Sequence, residues 1–187
     1  MRYKMIYILF LIFLLITIPY VITVFLSQQD KNIQFENYDS GYQVISGNDK
    51  DDLETYLLKI LTGQISMDQE NEAVKAQAVI LRTDIIRRME NKKQIARQKL
   101  PYTTYENSEY RKKLGNRSYQ SMDQKRKKSV SETRGKVITY KNKLIEPYFH
   151  ALSVGMTLDS REWFGKDLPY IREKESLSDI EAKDYMS

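Results

Sequence analysis

The chain has 187 residues, with 30 Lys and Arg against 25 Asp and Glu, one His and no Cys, for a formal charge of +5. The absence of cysteine excludes a disulfide framework, a thiolate nucleophile and any Cys-ligated metal site, and a single histidine excludes a poly-His metal site. Seven Gly and four Pro exclude a collagenous or low-complexity chain.

The first element is apolar. Met5 to Leu26 (MIYILFLIFLLITIPYVITVFL) carries no charged side chain. As a helix rising about 1.5 Å per residue it reaches about 33 Å, enough to cross a hydrocarbon core. A cleaved signal peptide would have an apolar core of about 7–15 residues ending at a small-residue site; neither feature is present. Arg2 and Lys4 precede the segment and Ser27-Gln28-Gln29-Asp30 follow it, so the positive-inside rule places the N-terminus in the cytoplasm and the rest outside. Residues 1–26 are therefore expected to be a cytoplasmic start and a single-pass anchor in the cell membrane. Pro19 bends such a helix without forbidding it. Residues 27–39 are polar and aperiodic and read as a stalk.

Residues 40–187 read as one extracytoplasmic domain. Gly41 to Ser46 is a candidate strand closed by Gly47-Asn48-Asp49. From Asp51 the spacing of Leu53, Tyr56, Leu57, Ile60 and Leu61 predicts a helix capped by Asp51 or Asp52 and ended by Gly63. A longer helix is predicted over 69–92, with Ala73, Ala76, Val79 and Ile80 inward, extended by Ile85, Ile86 and Met89, and Ser66 or Asp68 as its cap. Residues 101–134 are polar, tyrosine-rich and without a clear period. Lys136 to Tyr140, Lys143 to Leu152 and Pro169 to Arg172 read as strands, with Lys141-Asn142 as a hairpin turn. Early helices followed by antiparallel strands give an α+β class.

Two blocks carry a resemblance. Glu54-Thr-Tyr56-Leu57 through Gly63-Gln64-Ile65, then Glu72-Ala-Val-Lys75-Ala-Gln77-Ala-Val-Ile-Leu-Arg82-Thr83, are similar to E-x-Y-L-x-x-V-V-x-x-E-M-P and E-A-L-K-A-Q-A-V-A-A-R-T of the SpoIID/LytB family. Thr133 to Tyr140 resembles its T-x-G-x-V-L-x-Y strand. Tyr148-Phe149-His150-Ala-Leu-Ser153-Val-Gly155-Met-Thr157 resembles Y-F-H-S-x-S-G-G-x-T, and Trp163-Phe-Gly165 with Leu168-Pro169-Tyr170 resembles W-G-x-x-x-P-Y-L. The resemblance covers about residues 50 to 180. It implies cell-wall remodelling: membrane-anchored lytic transglycosylases of sporulating bacteria, and amidase enhancers. In that reaction one carboxyl group protonates the leaving glycosidic oxygen and then accepts the proton of the muramic acid 6-hydroxyl, closing a 1,6-anhydro ring. One carboxylate suffices because the attacking hydroxyl belongs to the substrate, unlike the two-carboxylate hydrolases.

At the decisive position the chain departs from this pattern. Counting back from Glu72, the E-M-P glutamate falls on Gln64. A carboxamide donates and accepts hydrogen bonds but does not exchange a proton at useful pH. General acid–base assistance is worth about 10²–10⁴-fold, so impaired catalysis is expected. Asp68, Glu70 or Glu72 could substitute, Glu72 foremost, which would leave an active transglycosylase with a displaced carboxylate. By the resemblance Lys75, Gln77, Arg82, His150, Ser153, Gly155 and Thr157 would contact substrate. A solvated helix face explains Lys75, Gln77 and Arg82 equally well, and His150 also reads as a structural histidine. Trp163, Phe164 and Tyr170 read as sugar-stacking or as core aromatics.

No cofactor is implied, and without Cys the chain cannot rebuild the zinc site of some family members. The partners implied are peptidoglycan glycan strands, a wall amidase or sporulation membrane proteins, and the membrane through 5–26. A plain scaffold of a sporulation or division complex is the other class. Tyr110 to Ser129 holds eight Lys and Arg and one Asp. It reads as a solvated basic loop facing teichoic acids, lipid headgroups or wall carboxylates rather than nucleic acid, which belongs to the wrong compartment. Family members generally continue beyond the segment matching Pro169 to Ser176, so the domain reads as C-terminally truncated.

Overall fold

A 28-residue helix, α1 (Arg2–Gln29), opens the chain and takes Pro19 in its interior without ending. In the computed structural model residues 2–29, 38–105, 111–112, 115–150 and 153–181 are described; most of the expected stalk, 30–37, falls outside them. Phe10, Phe13, Leu15, Ile16 and Tyr20 of α1 are exposed. Among the described residues no helix is long and apolar enough to cross a membrane. Several α1 side chains are outside that set, so the anchor expected at 5–26 rests on its sequence.

The chain divides into two units, residues 1–78 with 93–135 and residues 79–92 with 136–187. The first unit holds a three-stranded sheet of order β2-β1-β3. Its strands are β1 (Gln43–Ser46), β2 (Asp49–Asp52) and β3 (Gln94–Ala96). Gly47, at φ +61°, supplies the left-handed residue of the tight β1–β2 turn. β3 runs parallel to β1 and sets Ile95 opposite Val44, both buried.

Helix α2 (Leu53–Ile60) starts where Asp52 accepts the Glu54 N–H at 2.8 Å. The other Asp52 oxygen accepts from the Ser40 N–H and hydroxyl, each at 2.7 Å. Leu53, Tyr56, Leu57 and Ile60 are buried, as their spacing predicts. A 3₁₀ turn, Leu61–Gly63, follows.

Residues 101–134 contain an element the sequence conceals: α4 (Asn116–Glu132), a 17-residue helix. The basic stretch expected to be a solvated loop lies largely on it. Tyr119, Arg126, Ser129 and Val130 face inward. Arg126 Nη1 donates to the Leu58 carbonyl at 2.8 Å and Nη2 bonds Asp123.

Helix α3 (Asn71–Arg88) begins in the first unit and ends in the second. Its buried positions are Val74, Gln77, Ala78, Leu81, Arg82, Thr83, Asp84 and Ile85, whereas Ala76 is exposed. Ile85 and Met89 are buried as expected and Ala73, Val79, Ile80 and Ile86 are half-buried, while Gln77 and Arg82 are also taken into the interior. It starts at Asn71, beyond the expected caps Ser66 and Asp68, and Ser66 Oγ accepts the Asp68 N–H at 3.3 Å within its own turn.

The second unit is built from short pieces. β4 (Thr139–Tyr140) and β5 (Lys143–Leu144) form the expected hairpin, with Lys141 and Asn142 at φ 49° and 62°. Of the strands expected over 136–140 and 143–152, the described residues keep these two pairs, Pro147 interrupting the second, and residues 151–152 fall outside the described ones. Pro169-Tyr170 is a turn rather than a strand. β6 (Met156–Thr157) pairs antiparallel with β7 (Lys174–Glu175). Helix α5 (Ser160–Phe164) is capped by Asp159 and ended by Gly165 at φ +64°; α6 (Leu177–Ile180) closes the described chain.

Candidate functional site

The nine residues selected from the sequence divide between the units: Gln64, Glu72, Lys75 and Gln77 in the first, Arg82, His150, Ser153, Gly155 and Thr157 in the second. Each group has its own local construction.

In the first unit the Gln64 N–H donates to the Leu61 carbonyl at 3.1 Å, closing the 3₁₀ turn, and its side chain is half-buried. The Ile65 N–H reaches the same carbonyl at 3.2 Å. A Cβ on Gly63 would sit 2.2 Å from Cε2 of Tyr105, whose own N–H is fixed to the Lys59 carbonyl at 2.9 Å. The absent side chain at 63 is what lets the Tyr105 ring lie against the turn.

The substitute carboxylates have other settings. Asp68 and Glu70 are exposed. Glu72 is 82% exposed and bonds Lys75 at 2.7 Å, so it lacks the apolar, water-excluded surroundings that suit a carboxylic proton donor. Lys75 also reaches Glu132 of α4 at 2.6 Å. Its hydrogen bonds to Glu132 and then Glu72 hold its ammonium above the ordinary lysine value, and the same contact holds Glu132 below the usual carboxylate range. The ammonium is committed to two carboxylates. Gln77 is 3% exposed and its Oε1 has no hydrogen-bond partner among the described residues. Neither residue has the open aspect of a solvated helix face.

In the second unit Arg82 is 1% exposed and Nη1 donates to the Lys136 carbonyl at 3.2 Å. Next to it, Thr83 Oγ1 accepts the Ile138 N–H at 3.0 Å. These two bonds fasten the 136–138 segment to α3.

His150 is exposed. Ser153 donates its hydroxyl at 2.6 Å and its N–H at 2.9 Å to Asp179 Oδ2. The Gly155 carbonyl accepts the Ser176 N–H at 2.9 Å, and Thr157 Oγ1 accepts the Lys174 N–H at 2.9 Å. Gly155 sits at φ +90°, where a Cβ would come 2.5 Å from Ile180 Cδ1. The 153–157 segment is thus tied to β7 and α6. With its hydroxyl given to a carboxylate and no imidazole between them, Ser153 is not arranged as a nucleophile.

The same unit holds an aromatic group. Tyr148 stacks on Phe164 with centroids 4.0 Å apart, and Trp163 is 66% exposed, which excludes it from the core. The Tyr148 hydroxyl is pushed up to about 12, first by burial and then by its hydrogen bond to Glu146. Tyr170 accepts the Glu146 N–H at 3.0 Å. Asp159 is held down to about 2 by the Arg161 N–H it caps and then by Arg172.

Lys125, whose ammonium donates to the Met67 carbonyl at 2.8 Å, Glu132 and Asp179 are side chains bonded to these segments that were not selected from the sequence. Nothing local marks them, because each acts through a contact remote in the chain. Among the described residues no group of three or more His, Asp or Glu side chains has metal-site geometry.

Residues 41–140 match the family model described as SpoIID, stage II sporulation protein. The chain is 28% identical over 142 residues to stage II sporulation protein D of Bacillus amyloliquefaciens, covering 72% of this chain and 41% of that protein. Stage II sporulation protein D of Bacillus subtilis (strain 168) is 28% identical over 140 residues, with 71% and 41% covered. An uncharacterized protein of Brachyspira hyodysenteriae is 31% identical over 119 residues, with 64% and 30% covered. The chain spans well under half the length of these relatives.

Proposed function

The chain belongs to the SpoIID family of stage II sporulation proteins, and from that premise we propose that it is a membrane-anchored peptidoglycan-binding protein of sporulation-related wall remodelling whose catalysis is impaired. The observation that carries this reading is Gln64, a carboxamide where counting back from Glu72 along the resembling motif sets the family's acid–base glutamate. An amide holds a glycan oxygen through hydrogen bonds but supplies no proton to a leaving group. The uncharged run 5–26 supports the anchor. Retained glycan binding would let the protein position a wall amidase or a sporulation membrane partner on its substrate.

The test is to sediment the full chain, in detergent, with purified sacculi and to analyse the released muropeptides. Co-sedimentation without 1,6-anhydro products is the expected result. Anhydro products from the wild type would replace it with an active transglycosylase using a displaced carboxylate. Absence of co-sedimentation would leave a scaffold.

A further inference from the structure

Between the turn at Gln64 and the first residue of α3 the chain runs through residues 65–70, and little of that segment is held by its own backbone. The Gln69 N–H reaches the Ser66 carbonyl at 3.3 Å, and the Ser66 hydroxyl bonds Asp68 at the same turn. Such weak, exposed bonds do not by themselves select one conformation for a loop.

Lys125 of α4 adds what the loop lacks. Its Nζ donates to the Met67 carbonyl at 2.8 Å and also to the Gln69 carbonyl. Among the described residues no carboxylate lies within ion-pair range of it, so carbonyls are the partners shown for this ammonium. Charge-assisted bonds to two carbonyls in one turn are stronger and more directional than the neutral bonds inside it. The stem of Lys125 is itself held. Its neighbour Arg126 is buried and bonded to the Leu58 carbonyl, and Glu132 further along α4 is paired with Lys75 of α3. The loop is therefore gripped from a helix fastened on one side to α2 and on the other to α3.

We infer that Lys125 is a positioning residue: its ammonium sets the conformation of the 66–70 turn, and through it the placement of Gln64 relative to Glu72 and Gln77 at the start of α3. The inference deepens the glycan-binding reading and rests on it for its functional consequence. Its structural part stands alone. Part of the basic stretch then works as an internal fastener, which a solvated basic loop would not do.

Four forms of the full chain in detergent decide it: wild type, Lys125→Met, Lys125→Arg and Lys112→Met. Lys112 is an exposed charge of the same basic stretch and serves as the charge control. The first readout is amide hydrogen exchange of residues 64–70. About tenfold faster exchange there in Lys125→Met is expected, with α2 unchanged, near-wild-type behaviour for Lys125→Arg, which still offers two donors, and no change for Lys112→Met. Unaltered exchange of 64–70 in Lys125→Met overturns the inference. If that variant loosens α2 as well, Lys125→Gln, with a shorter and uncharged donor group, takes its place; a graded effect confined to 64–70 supports the inference, and none overturns it. The second readout is co-sedimentation with purified sacculi. A several-fold loss in Lys125→Met but not in Lys112→Met is expected. An equal loss in both assigns the effect to charge and overturns positioning. Failure of the wild type to sediment counts against glycan binding, while the exchange result still decides Lys125.

Discussion

Ser153 and Asp179 are joined twice, by hydroxyl and by backbone N–H to the same carboxylate oxygen. Those bonds, the hydroxyl first and then the backbone N–H and Ser176, hold the Asp179 carboxyl below its usual range. A carboxyl whose folded value is depressed contributes stability above its unfolded value, about 3.9, and loses that contribution as pH falls through the folded value. The amide resonance of Ser153 is expected to follow a single titration below the ordinary carboxylate range. Asp179→Asn should abolish that titration, and Asp179→Ala should speed amide exchange over 153–157 while leaving α2 unaffected.

The buried Arg126 is predicted to be the costliest single loss in the first unit. It is 4% exposed and satisfies both the Leu58 carbonyl and Asp123. Arg126→Met leaves the Leu58 carbonyl without this donor and Asp123 with Lys127 alone, a type of loss that costs about 1–3 kcal/mol. Burial raises the Asp123 carboxyl, but hydrogen bonds from Lys127 and Arg126 outweigh it and the net direction is down. The pair's contribution is therefore present above about pH 4 and fades below it. Denaturant unfolding of Arg126→Met and of Arg126→Met with Asp123→Asn checks this: the double variant should recover part of the loss.

How far such features could be read in advance depended on whether burial was apolar. The α2 spacing of Leu53, Tyr56, Leu57 and Ile60 is a plain hydrophobic stripe, and Asp52 caps it as expected. In α4 the inward positions include Arg126 and Ser129, with Val130 the only aliphatic residue among those that its helix buries. What holds it is side-chain bonding to carbonyls more than 50 residues away in sequence, which periodicity cannot display. β2 is a further case: Asp49-Lys50-Asp51-Asp52 has poor strand propensity and is a strand because the Gly47 turn folds it onto β1. Gln64 was legible by its place in a motif, whereas Lys125 and Asp179 were not, having no motif of their own.

Lys75 distinguishes a structural from a glycan-binding role. Its partners Glu72 and Glu132 have side chains 82% and 40% exposed, so solvent screens both pairs. Lys75→Met is expected to leave thermal or denaturant unfolding nearly unchanged. If sacculus co-sedimentation falls by more than tenfold in a variant that remains as stable, the ammonium touches the glycan. If both are nearly unchanged, the residue only joins α3 to α4.

Gly63→Ala should disturb the turn through one named contact. The new methyl would fall 2.2 Å from the Tyr105 ring, forcing it aside. Overpacking of this kind costs about 1–3 kcal/mol. In Gly63→Ala with Tyr105→Leu the collision is removed, so a double-mutant cycle should return a favourable coupling of about 1 kcal/mol. Additive losses would show that the ring moves away freely.

Gln64→Glu tests the central chemical point. The Gln64 backbone N–H closes the turn and its half-buried carboxamide takes no part in that bond, so the turn itself tolerates the exchange. A carboxyl group there could protonate a glycosidic oxygen and then accept the 6-hydroxyl proton. The expected gain in 1,6-anhydro-muropeptide release from purified sacculi is about 10²-fold or more. Activity should decline at high pH as the acid loses its proton, a limb that the wild type lacks. A gain in release with unchanged sedimentation would locate the defect in proton transfer alone. Unchanged release with binding intact would mean that Gln64 does not occupy the proton donor's place, and the impaired-catalyst reading would fall with it.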